Sequence, residues 1–391
     1  MDRLKREILS QRVRKVKPSG IRKFFDIIST MPDVISLGVG EPDFVTPEHI
    51  RQAGIRSIRE GHTRYTSNYG ILALREEIVA MLQRRYGISY SPAKEILVTV
   101  GVSEGVDLAM RAIVDPGDEV ICLDPGYVAY EADIIFAGGV PVPVPAYAEH
   151  DFAVQATTIV DAITPRTKMI LLGNPNNPTG AVIPQAELES IAKLAREHDL
   201  IVATDEVYSY LVYGTNHVSI AAMPGMRERT ILLDGFSKAY AMTGWRVGYV
   251  AAPAHILEAM LKIHQYAIMS AGTAAQEAAL EALRNGADDI QGMHDAYDNR
   301  RRMFVAGLNS IGLPTCEPRG AFYAFPNISV SGMTDEMFAE KLLLEGKVAV
   351  VPGSAFGAAG TGYARCAYCT AYDQLEEALV RMERFLKKYQ L

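Results

Sequence analysis

The sequence contains few cysteines and lacks any apolar run long enough to cross a membrane. Four cysteines in 391 residues, Cys122, Cys316, Cys366 and Cys369, are too few and too scattered for a disulfide framework. No apolar run reaches the roughly 20 residues of a membrane-spanning helix, and the first residues lack the apolar core of a signal peptide. These absences predict a protein of a reducing, cytoplasmic compartment with no membrane partner.

The sequence also lacks an excess of positive charge, with 39 Lys and Arg against 46 Asp and Glu. The formal net charge of -7 gives no electrostatic reason to expect nucleic-acid binding. Only the stretch from Arg3 to Lys23 is locally basic, and a solvated arm or an amphipathic helix packed on the protein explains it more simply than a targeting or lipid-binding role. The composition is typical of a globular protein, and the length allows two or three domains.

Cys366 and Cys369 are three positions apart, a spacing that also occurs in zinc and redox sites. They lie in a strand-like stretch, and positions three apart on a strand point to opposite faces. The two thiols could then not hold one ion, so we expect both to be packed in the core.

Short apolar runs alternate with helix-like stretches between residues 50 and 285. The runs cover residues 96–100, 119–123, 168–172, 200–204, 230–234 and 247–251, and a helical stripe is clear over 186–198. Near-continuous apolar strands separated by helices are typical of a mainly parallel sheet covered on both faces. The sequence thus predicts an α/β fold whose large domain, residues 49–285, has a mainly parallel central sheet flanked by helices.

The pattern changes after residue 286. A long charged helix is predicted over residues 288–309, short strands over 320–325 and 348–351, and a final helix over 373–388. This mixture predicts a smaller α+β domain, residues 286–391. Residues 1–48 are predicted to form an N-terminal arm and part of that smaller domain.

One lysine, Lys238, follows an apolar run and precedes Arg246 in a glycine-rich segment. A lysine becomes a nucleophile only where burial or a neighbouring cation makes the neutral amine accessible. Ser237 and Arg246 would supply such surroundings and could bind a dianion. A Schiff-base lysine beside a phosphate clamp is what pyridoxal 5'-phosphate requires, although a serine–lysine pair in a loop is more often solvated surface.

A second anion site is predicted after the run of residues 96–100. The segment from Gly101 to Gly105 precedes a helix-like stretch, and the backbone amides of a turn that opens a helix bind anions. Ser103 would add a hydroxyl, and Val102 only its backbone. The segment is not a P-loop, because no Gly-Lys-Ser/Thr follows, and its spacing does not fit a dinucleotide-binding fingerprint.

Polar residues follow three further runs. Asp205 could meet a protonated pyridine nitrogen and keep the ring electron-withdrawing, or it could cap a following helix. Tyr208 could donate to the cofactor's phenolate oxygen. A turn could aim Asn177 at the same oxygen, with Asn177–Pro178 a candidate cis peptide bond. Tyr127 could stack on the ring or pack in the core.

The chain resembles the fold type I pyridoxal-phosphate enzymes, and specifically the class I and II aminotransferases, over nearly its whole length. The motifs that carry the resemblance are residues 36–43, 64–70, 174–180, 205–208, 237–248, 320–323 and 351–354. The resemblance implies that Lys238 forms the Schiff base and moves the proton, with Asp205 on the pyridine nitrogen. The other implied contacts are Asn177 and Tyr208 to the phenolate oxygen, Tyr127 to the ring, Ser103, Ser237, Arg246 and the backbone of Gly101 and Val102 to the phosphate, and Gly40, Asn177 and Arg365 to the substrate, whose α-carboxylate Arg365 binds.

The resemblance further implies a homodimer with shared active sites, in which Tyr65 reaches the phosphate of the neighbouring subunit. One departure follows Arg365, where the family usually has a bulky aliphatic residue, Ser, an aromatic residue and Ala. Here Cys366-Ala-Tyr-Cys369 takes their place. Because Arg365 itself is retained, carboxylate binding is still expected, with altered packing around it.

The implied activity is the transfer of an amino group from an L-amino acid to a 2-oxo acid, with 2-oxoglutarate as the expected acceptor, by a ping-pong mechanism. The alternative is a carbon–sulfur β-lyase on the same scaffold. A non-catalytic pyridoxal-phosphate-binding regulator is more remote, because such regulators carry a DNA-binding domain and little chain precedes Ser36. The joint presence of Lys238, Asp205 and Arg365 also favours catalysis.

The amino donor is not readable from these motifs, which are shared by relatives that act on aspartate, aromatic amino acids or acylated diaminopimelate. Arg111 lies on the helix-like stretch after the anion turn and could meet a distal carboxylate. A surface or interface salt bridge is the simpler expectation for it.

Overall fold

The computed structural model describes residues 8–16, 31 and 33–389. The strands in these residues are β1 (Ile35–Ser36), β2 (Ile96–Thr99), β3 (Glu119–Asp124), β4 (Val140–Pro145), β5 (Thr167–Gly173), β6 (Ile201–Asp205), β7 (Thr230–Gly235), β8 (Gly248–Ala251), β9 (Tyr323–Ala324), β10 (Val348–Ala349), β11 (Val351–Pro352) and β12 (Ala364–Ala367). The α-helices are α1 (Gln11–Lys15), α2 (Glu48–Arg59), α3 (Leu72–Tyr86), α4 (Gly101–Ile113), α5 (Ala129–Ala137), α6 (Ala156–Ala162), α7 (Gln185–Glu197), α8 (Ala254–Ala267), α9 (Thr273–Asn285), α10 (Ala287–Ser310), α11 (Asp335–Lys341) and α12 (Tyr372–Lys388).

The largest sheet has seven strands in the order β2-β8-β7-β6-β5-β3-β4. Its strands run parallel except β8, which is antiparallel to both β2 and β7. Successive residues of β3 join different hydrophobic clusters, Ile121 one and Cys122 another, because they point to opposite faces and both faces are covered. Each predicted apolar run forms one of these strands, so the mainly parallel sheet flanked by helices is confirmed.

The edge strand β4 was not predicted from the sequence. It alternates valine with proline, and proline lacks the N–H that a strand between two neighbours needs. In the structure β4 pairs only with β3 and lies at the end of the sheet, where missing donors are tolerated. Pairing with β3, and not local preference, therefore makes this segment a strand.

The helix α4 begins directly at Gly101, at the carboxyl end of β2. The sequence predicted a tight turn before this helix, whereas the structure makes the same residues its first turn. Gly101 has a φ of +74°, which side chains other than glycine rarely adopt. The helix therefore directs its free N-terminal amides toward the end of the sheet where the polar residues gather.

The C-terminal part is built on two small sheets and the helices α10 and α12, both close to their predicted positions. The strands β11, β12 and β9 form an antiparallel sheet, and β1 pairs in parallel with β10, so the N-terminal segment also joins this part. Phe304, Phe322 and Phe338 are fully buried in its core. The division of the chain at residues 48 and 285 stays a prediction.

The basic N-terminal stretch is described only over residues 8–16, and the remainder of the predicted arm lies outside the described residues. The described piece contains α1, whose Arg12 donates to the carbonyl oxygen of Phe136 near the end of α5, with an Nη1–O distance of 3.0 Å. Within the described ranges, none of the helices is long and apolar enough to cross a membrane.

Candidate active site

A cavity of about 490 Å³ opens beyond the carboxyl ends of the parallel strands. Ligands bind at this edge of open α/β sheets because loops and helix N-termini converge there. The cavity brings together most of the residues that the sequence singled out: Gly40, Val102, Ser103, Tyr127, Asn177, Asp205, Tyr208, Ser237, Lys238, Arg246 and Arg365. Gly101 adjoins the cavity through Arg246, and Tyr65 lies outside it.

Lys238 follows β7 and extends into the cavity. Its Nζ atom donates to the carbonyl oxygen of Gly40, 2.7 Å away. Burial lowers the pKa of Lys238 from its ordinary value to about 8, and the nearby positive charges of Arg365 and Arg246 act in the same direction. An appreciable fraction of neutral amine is therefore present near neutral pH, as a nucleophilic or proton-accepting lysine requires.

Asp205 ends β6 and faces the cavity from its floor. One carboxylate oxygen accepts a bond from the backbone N–H of Val207 at 3.2 Å, and the other accepts from the hydroxyl of Tyr130 at 2.9 Å. Burial raises the pKa of Asp205 to about 6. Among the described elements no helix follows β6 directly, so the alternative in which Asp205 caps a helix is wrong.

Tyr130 is a site residue that the sequence reasoning missed. It lies on α5, three positions after Tyr127, so the two side chains share one face of the chain and their rings meet edge-on with centroids 5.5 Å apart. Both tyrosines line the cavity, and Tyr130 in addition donates to Asp205. The helical spacing after Tyr127 was the signal that could have found Tyr130.

The first turn of α4 and Arg246 form a positively polarised cradle at one end of the cavity. A Cβ atom on Gly101 would lie 2.6 Å from the Nη2 atom of Arg246, so the guanidinium crosses directly over this glycine. Ser103 and Ser237 line the same cavity with hydroxyl groups. Helix N-terminal amides, hydroxyls and a guanidinium together suit a phosphate dianion.

Arg365 is carried by β12 and is buried. Its Nη1 atom donates to the side-chain oxygen of Asn177 at 2.9 Å, and its Nη2 atom donates to the carbonyl oxygen of Gly38 at 2.6 Å. The guanidinium lies between the rings of Tyr323 and Phe356, 4.6 and 4.8 Å from their centroids. Its buried Nε–H has no acceptor, and neither of its two hydrogen bonds within the described chain goes to a carboxylate. A buried guanidinium that has no carboxylate partner and a free N–H group is suited to bind an anionic ligand.

Tyr208 and Tyr323 form a hydroxyl pair beside the arginine. Their Oη atoms are 2.7 Å apart and both side chains are buried. The sequence predicted that Tyr208 donates to a cofactor oxygen but assigned no role to Tyr323, which appeared only as the last residue of a motif. The structure places Tyr323 in the cavity wall, between Tyr208 and Arg365.

One detailed prediction is corrected by the structure. The cis peptide bonds in the described chain are Asp124–Pro125 and Asn174–Pro175, so the prediction of a cis bond at Asn177–Pro178 is wrong. The segment contains two Asn–Pro steps with the same local chemistry, and the surrounding fold rather than the dipeptide selects the isomer.

Arg111 does not reach the cavity. Its Nε atom pairs with Asp107 one turn earlier on α4, at 2.9 Å, and its side chain is half exposed. The simpler expectation of a surface salt bridge is therefore the one that the structure supports.

Cys366 and Cys369 are both buried free thiols. The Sγ atom of Cys369 lies 3.6 Å from the carbonyl oxygen of Val39, and burial raises the pKa of both thiols to about 12. No group of His, Cys, Asp and Glu side chains within the described ranges could hold a metal ion. The pair packs in the core, in agreement with the sequence analysis.

The donor set fits pyridoxal 5'-phosphate. A lysine with a lowered pKa, a cradle for a dianion at a helix N-terminus and a buried carboxylate with only neutral partners lie in one cavity. The cofactor is a ring that carries an aldehyde, a phosphate and a basic nitrogen. In this cavity the aldehyde would meet the lysine, the phosphate would meet the cradle and the nitrogen would meet the carboxylate. The unpartnered Nε of Arg365 leaves a separate place for a carboxylate.

Comparison with known proteins identifies the class. A sequence model of the family "Aminotransferase class I and II" matches residues 32–382. The chain is 55% identical to the putative aminotransferase YugH of Bacillus subtilis over 97% of its length and 98% of that protein. It is 46% identical to an aspartate aminotransferase of Pyrococcus abyssi, with 98% of this chain and 99% of that protein covered.

Solved structures agree. An aromatic aminotransferase from Pyrococcus horikoshii OT3 superposes with a TM-score of 0.90 at 45% identity, covering 94% of this chain and 99% of that one. Aspartate aminotransferase from Thermus thermophilus with maleate superposes with a TM-score of 0.92 at 40% identity, covering 97% and 100%. The chain belongs to the class I and II aminotransferases. It is a pyridoxal-phosphate-dependent transaminase, and the carbon–sulfur β-lyase alternative is not favoured.

Proposed function

We propose that this cavity transfers the amino group of an L-amino acid to 2-oxoglutarate, with Lys238 as the covalent and proton-moving residue. The observation that carries the assignment is the placement of a buried guanidinium without a carboxylate partner, Arg365, in one cavity with a lysine of lowered pKa. The first group suits an α-carboxylate and the second suits the reacting carbon next to it.

The bound cofactor supplies an electron-withdrawing ring that stabilises negative charge at the substrate's α-carbon. Within the proposal, Asp205 holds the proton on the pyridine nitrogen, because a buried carboxylate with neutral partners favours a cation beside it. The proposed contacts to the remaining parts of the cofactor are Asn177 and Tyr208 at the phenolate oxygen, Tyr127 on the ring face, and Gly101, Val102, Ser103, Ser237 and Arg246 at the phosphate.

Substrate orientation is assigned to Arg365, Asn177 and the backbone at Gly40. Arg365 would fix the α-carboxylate so that the bond to be broken faces Lys238, a contribution of positioning. Asn177 already accepts a bond from Arg365, so it holds the guanidinium in place. Lys238 in its neutral form would take the substrate's α-proton and deliver it to the cofactor carbon that bears the aldehyde in the free cofactor, and the carbonyl oxygen of Gly40 would accept from its Nζ atom when the amine is free.

The proposed acceptor, 2-oxoglutarate, has a second carboxylate that needs a binding partner. Among the described residues the cations that line the cavity are Lys238, Arg246 and Arg365, and each has a proposed partner. Because Arg111 is paired at the surface, the second carboxylate of 2-oxoglutarate would be met by uncharged polar groups or by a neighbouring subunit. The relatives are named for aspartate and for aromatic amino acids, which supports both as candidate donors.

The proposal includes a homodimer with shared active sites. Tyr65 is 80% exposed. Its segment lies beside that of Met269, because Asn68 donates to the carbonyl oxygen of Met269 at 2.7 Å, and Met269 is itself exposed. Tyr266, 88% exposed, and Ile268 extend this apolar area. An exposed patch of this kind is typical of an interface, and Tyr65 would reach the neighbouring subunit's phosphate from it. The free state of the four cysteines supports the proposed cytoplasmic location.

A half-reaction tests the proposed function. Addition of an L-amino acid without an acceptor should change the enzyme's visible spectrum and release one 2-oxo acid per site, and 2-oxoglutarate should restore the spectrum. A β-lyase would instead release ammonia and pyruvate continuously from a substrate with a leaving group, without any acceptor. That outcome, or an enzyme that responds to no amino acid, would overturn the proposal.

A further inference from the structure

The hydroxyl pair of Tyr208 and Tyr323 joins two different parts of the fold. Tyr208 follows β6 of the seven-stranded sheet, whereas Tyr323 lies on β9, beside the strand β12 that carries Arg365. The two Oη atoms are 2.7 Å apart, and the side chains are 5% and 1% exposed. Within the described chain, each hydroxyl has the other as its hydrogen-bond partner.

The position of Tyr323 is fixed from three sides. Its ring covers the guanidinium of Arg365, with the Cζ atom of Arg365 4.6 Å from the ring centroid. Its ring also packs edge-on against Tyr208, with centroids 5.8 Å apart. Its hydroxyl lies against the Cα of Gly40, where a Cβ atom would overlap it. The oxygen of Tyr323 can therefore not move away from Tyr208 without moving the carboxylate-binding arginine or the chain at Gly40.

The number of hydrogen atoms determines the direction of the bond. A tyrosine hydroxyl has one hydrogen to donate and can also accept. If Tyr208 donates its hydrogen to the phenolate oxygen of the cofactor, the hydrogen between the two tyrosines must come from Tyr323. Among the described residues Tyr208 is the only hydrogen-bond partner of the Tyr323 hydroxyl. A donor that itself accepts a hydrogen bond is polarised and donates more strongly.

We propose that Tyr323 is a positioning residue, which donates to Tyr208 and so fixes Tyr208 as a donor to the cofactor's phenolate oxygen. This inference rests on the proposed function, since it presumes the role of Tyr208 there. Tyr323 also holds Arg365, and thereby connects the group that binds the substrate carboxylate with the group that adjusts the charge of the cofactor.

The surroundings keep both hydroxyls protonated. Burial raises the pKa of Tyr208 well above its ordinary value and that of Tyr323 to about 12. The charged and titratable groups that face the pair are Lys238, with Nζ 5.9 Å from the Tyr208 ring centroid, together with Arg365, Cys369 and Tyr127. All four remain in the variants described next, so a change in titration can be assigned to the lost hydroxyl.

The test is the pH titration of the visible absorbance of the cofactor-loaded enzyme. Donation to the phenolate oxygen stabilises its negative charge and makes the bound chromophore a weaker base. Tyr208→Phe should therefore raise the titration midpoint, and Tyr323→Phe should raise it less, by about half a pH unit, because it only weakens the donor. In the double variant Tyr323→Phe should add no further shift, since the residue through which it acts is absent.

Tyr213→Phe is the matched control. Tyr213 is a buried tyrosine of the same hydrophobic core, and its hydroxyl donates to the carbonyl oxygen of Ala321 outside the cavity. The Tyr213→Phe variant should leave the midpoint unchanged even if it lowers thermal stability.

A second variant, Tyr323→Leu, also lacks the hydroxyl but in addition loses the ring on Arg365. It should therefore share the midpoint shift of Tyr323→Phe and also raise the KM for the amino donor.

Two results would overturn the inference. One is a midpoint for Tyr323→Phe and Tyr323→Leu equal to that of the wild type and of Tyr213→Phe. The other is a full additional shift in the double variant, which would mean that Tyr323 acts independently of Tyr208. Because the titration requires no amino acid, it is distinct from the half-reaction: an enzyme that fails the half-reaction disproves the proposed function, whereas an active enzyme with unchanged midpoints disproves only the role of Tyr323.

Discussion

Tyr130 donates its hydroxyl hydrogen to Asp205 across 2.9 Å, and this is the only side-chain bond that the carboxylate receives from the described chain. A neutral donor orients a buried carboxylate but does not neutralise its charge. Burial accordingly raises the pKa of Asp205 to about 6. A cation beside the free oxygen lone pairs would return this pKa toward its ordinary value, which is the condition for keeping a pyridine nitrogen protonated.

Asp205→Asn is expected to reduce kcat/KM for transamination by at least about a hundredfold, because the amide keeps the size of the side chain but cannot hold the proton. The cofactor should still bind, since the phosphate cradle is untouched. Asp234→Asn is the control: Asp234 is also a buried carboxylate in a strand of the sheet, but its partners are Ser209 and Tyr249, outside the cavity. Near-normal turnover of Asp205→Asn would remove its proposed role.

Arg365→Lys is expected to raise the KM for the amino donor about ten- to a hundredfold. A lysine keeps the charge, but it cannot maintain the bonds to Asn177 and Gly38 while it presents two parallel N–H groups to a carboxylate. Steady-state kinetics against a fixed acceptor concentration measure this. Arg111→Lys, at the surface pair with Asp107, should leave the same KM within twofold of the wild type; equal effects of the two substitutions would contradict the assignment of Arg365.

The buried amine of Lys238 should reduce the stability of the cofactor-free protein at neutral pH. Its pKa is about 8 in the folded protein against an ordinary 10.5, so the unfolded chain binds the proton more tightly between these values, and stability rises with pH through this window. Lys238→Met removes this cost, and the cofactor-free variant should be more stable at pH 7 by roughly 1–3 kcal/mol.

Urea denaturation of both cofactor-free proteins at pH 7 and pH 10 measures this effect. The advantage of Lys238→Met should shrink as the pH rises from 7 to 10, because the proton that the wild-type amine loses on folding is held less and less tightly as the pH approaches 10.5. Lys168→Met is a control of opposite sign, since ion pairs with Asp118 and Asp115 raise the pKa of Lys168, so its removal should cost stability at pH 7. An advantage that does not depend on pH would show that the Lys238 charge is not its origin.

Mixing two inactive chains tests the shared active site. If Tyr65 acts on the neighbouring subunit, a heterodimer of Lys238→Ala and Tyr65→Ala chains contains one site with both defects and one with neither. Random exchange of subunits in an equal mixture should then recover about a quarter of the wild-type activity. If Tyr65 served its own subunit's site, every heterodimer would have two defective sites, and no activity would return.

The strand ends were the most predictable part of the site. Asp205 and Lys238 each follow a short apolar run, and the carboxyl ends of parallel strands lie at one edge of a sheet. Local sequence therefore located these residues in space without knowledge of the loops. Gly101 was found for a similar reason, because a segment that begins a helix directly after a strand must lie at the carboxyl end of that strand.

Residues whose role depends on packing between distant segments were not predictable in this way. Tyr323 is brought to Tyr208 by a separate sheet more than a hundred residues later, and nothing in its local sequence indicates a partner. The edge strand β4 was missed because proline opposes strand formation locally, and the observed cis bond at Asn174–Pro175 was missed because its neighbour at Asn177–Pro178 offers the same dipeptide.

Borohydride trapping tests the central claim, that Lys238 carries the cofactor and gives it up to an amino donor. Reduction of the enzyme as purified, followed by proteolysis and mass spectrometry, should place the cofactor on the peptide that contains Lys238. Reduction after incubation with an excess of amino donor should leave that peptide largely unlabelled. Cofactor on any other lysine, or a Lys238 label that the donor does not diminish, would contradict the account.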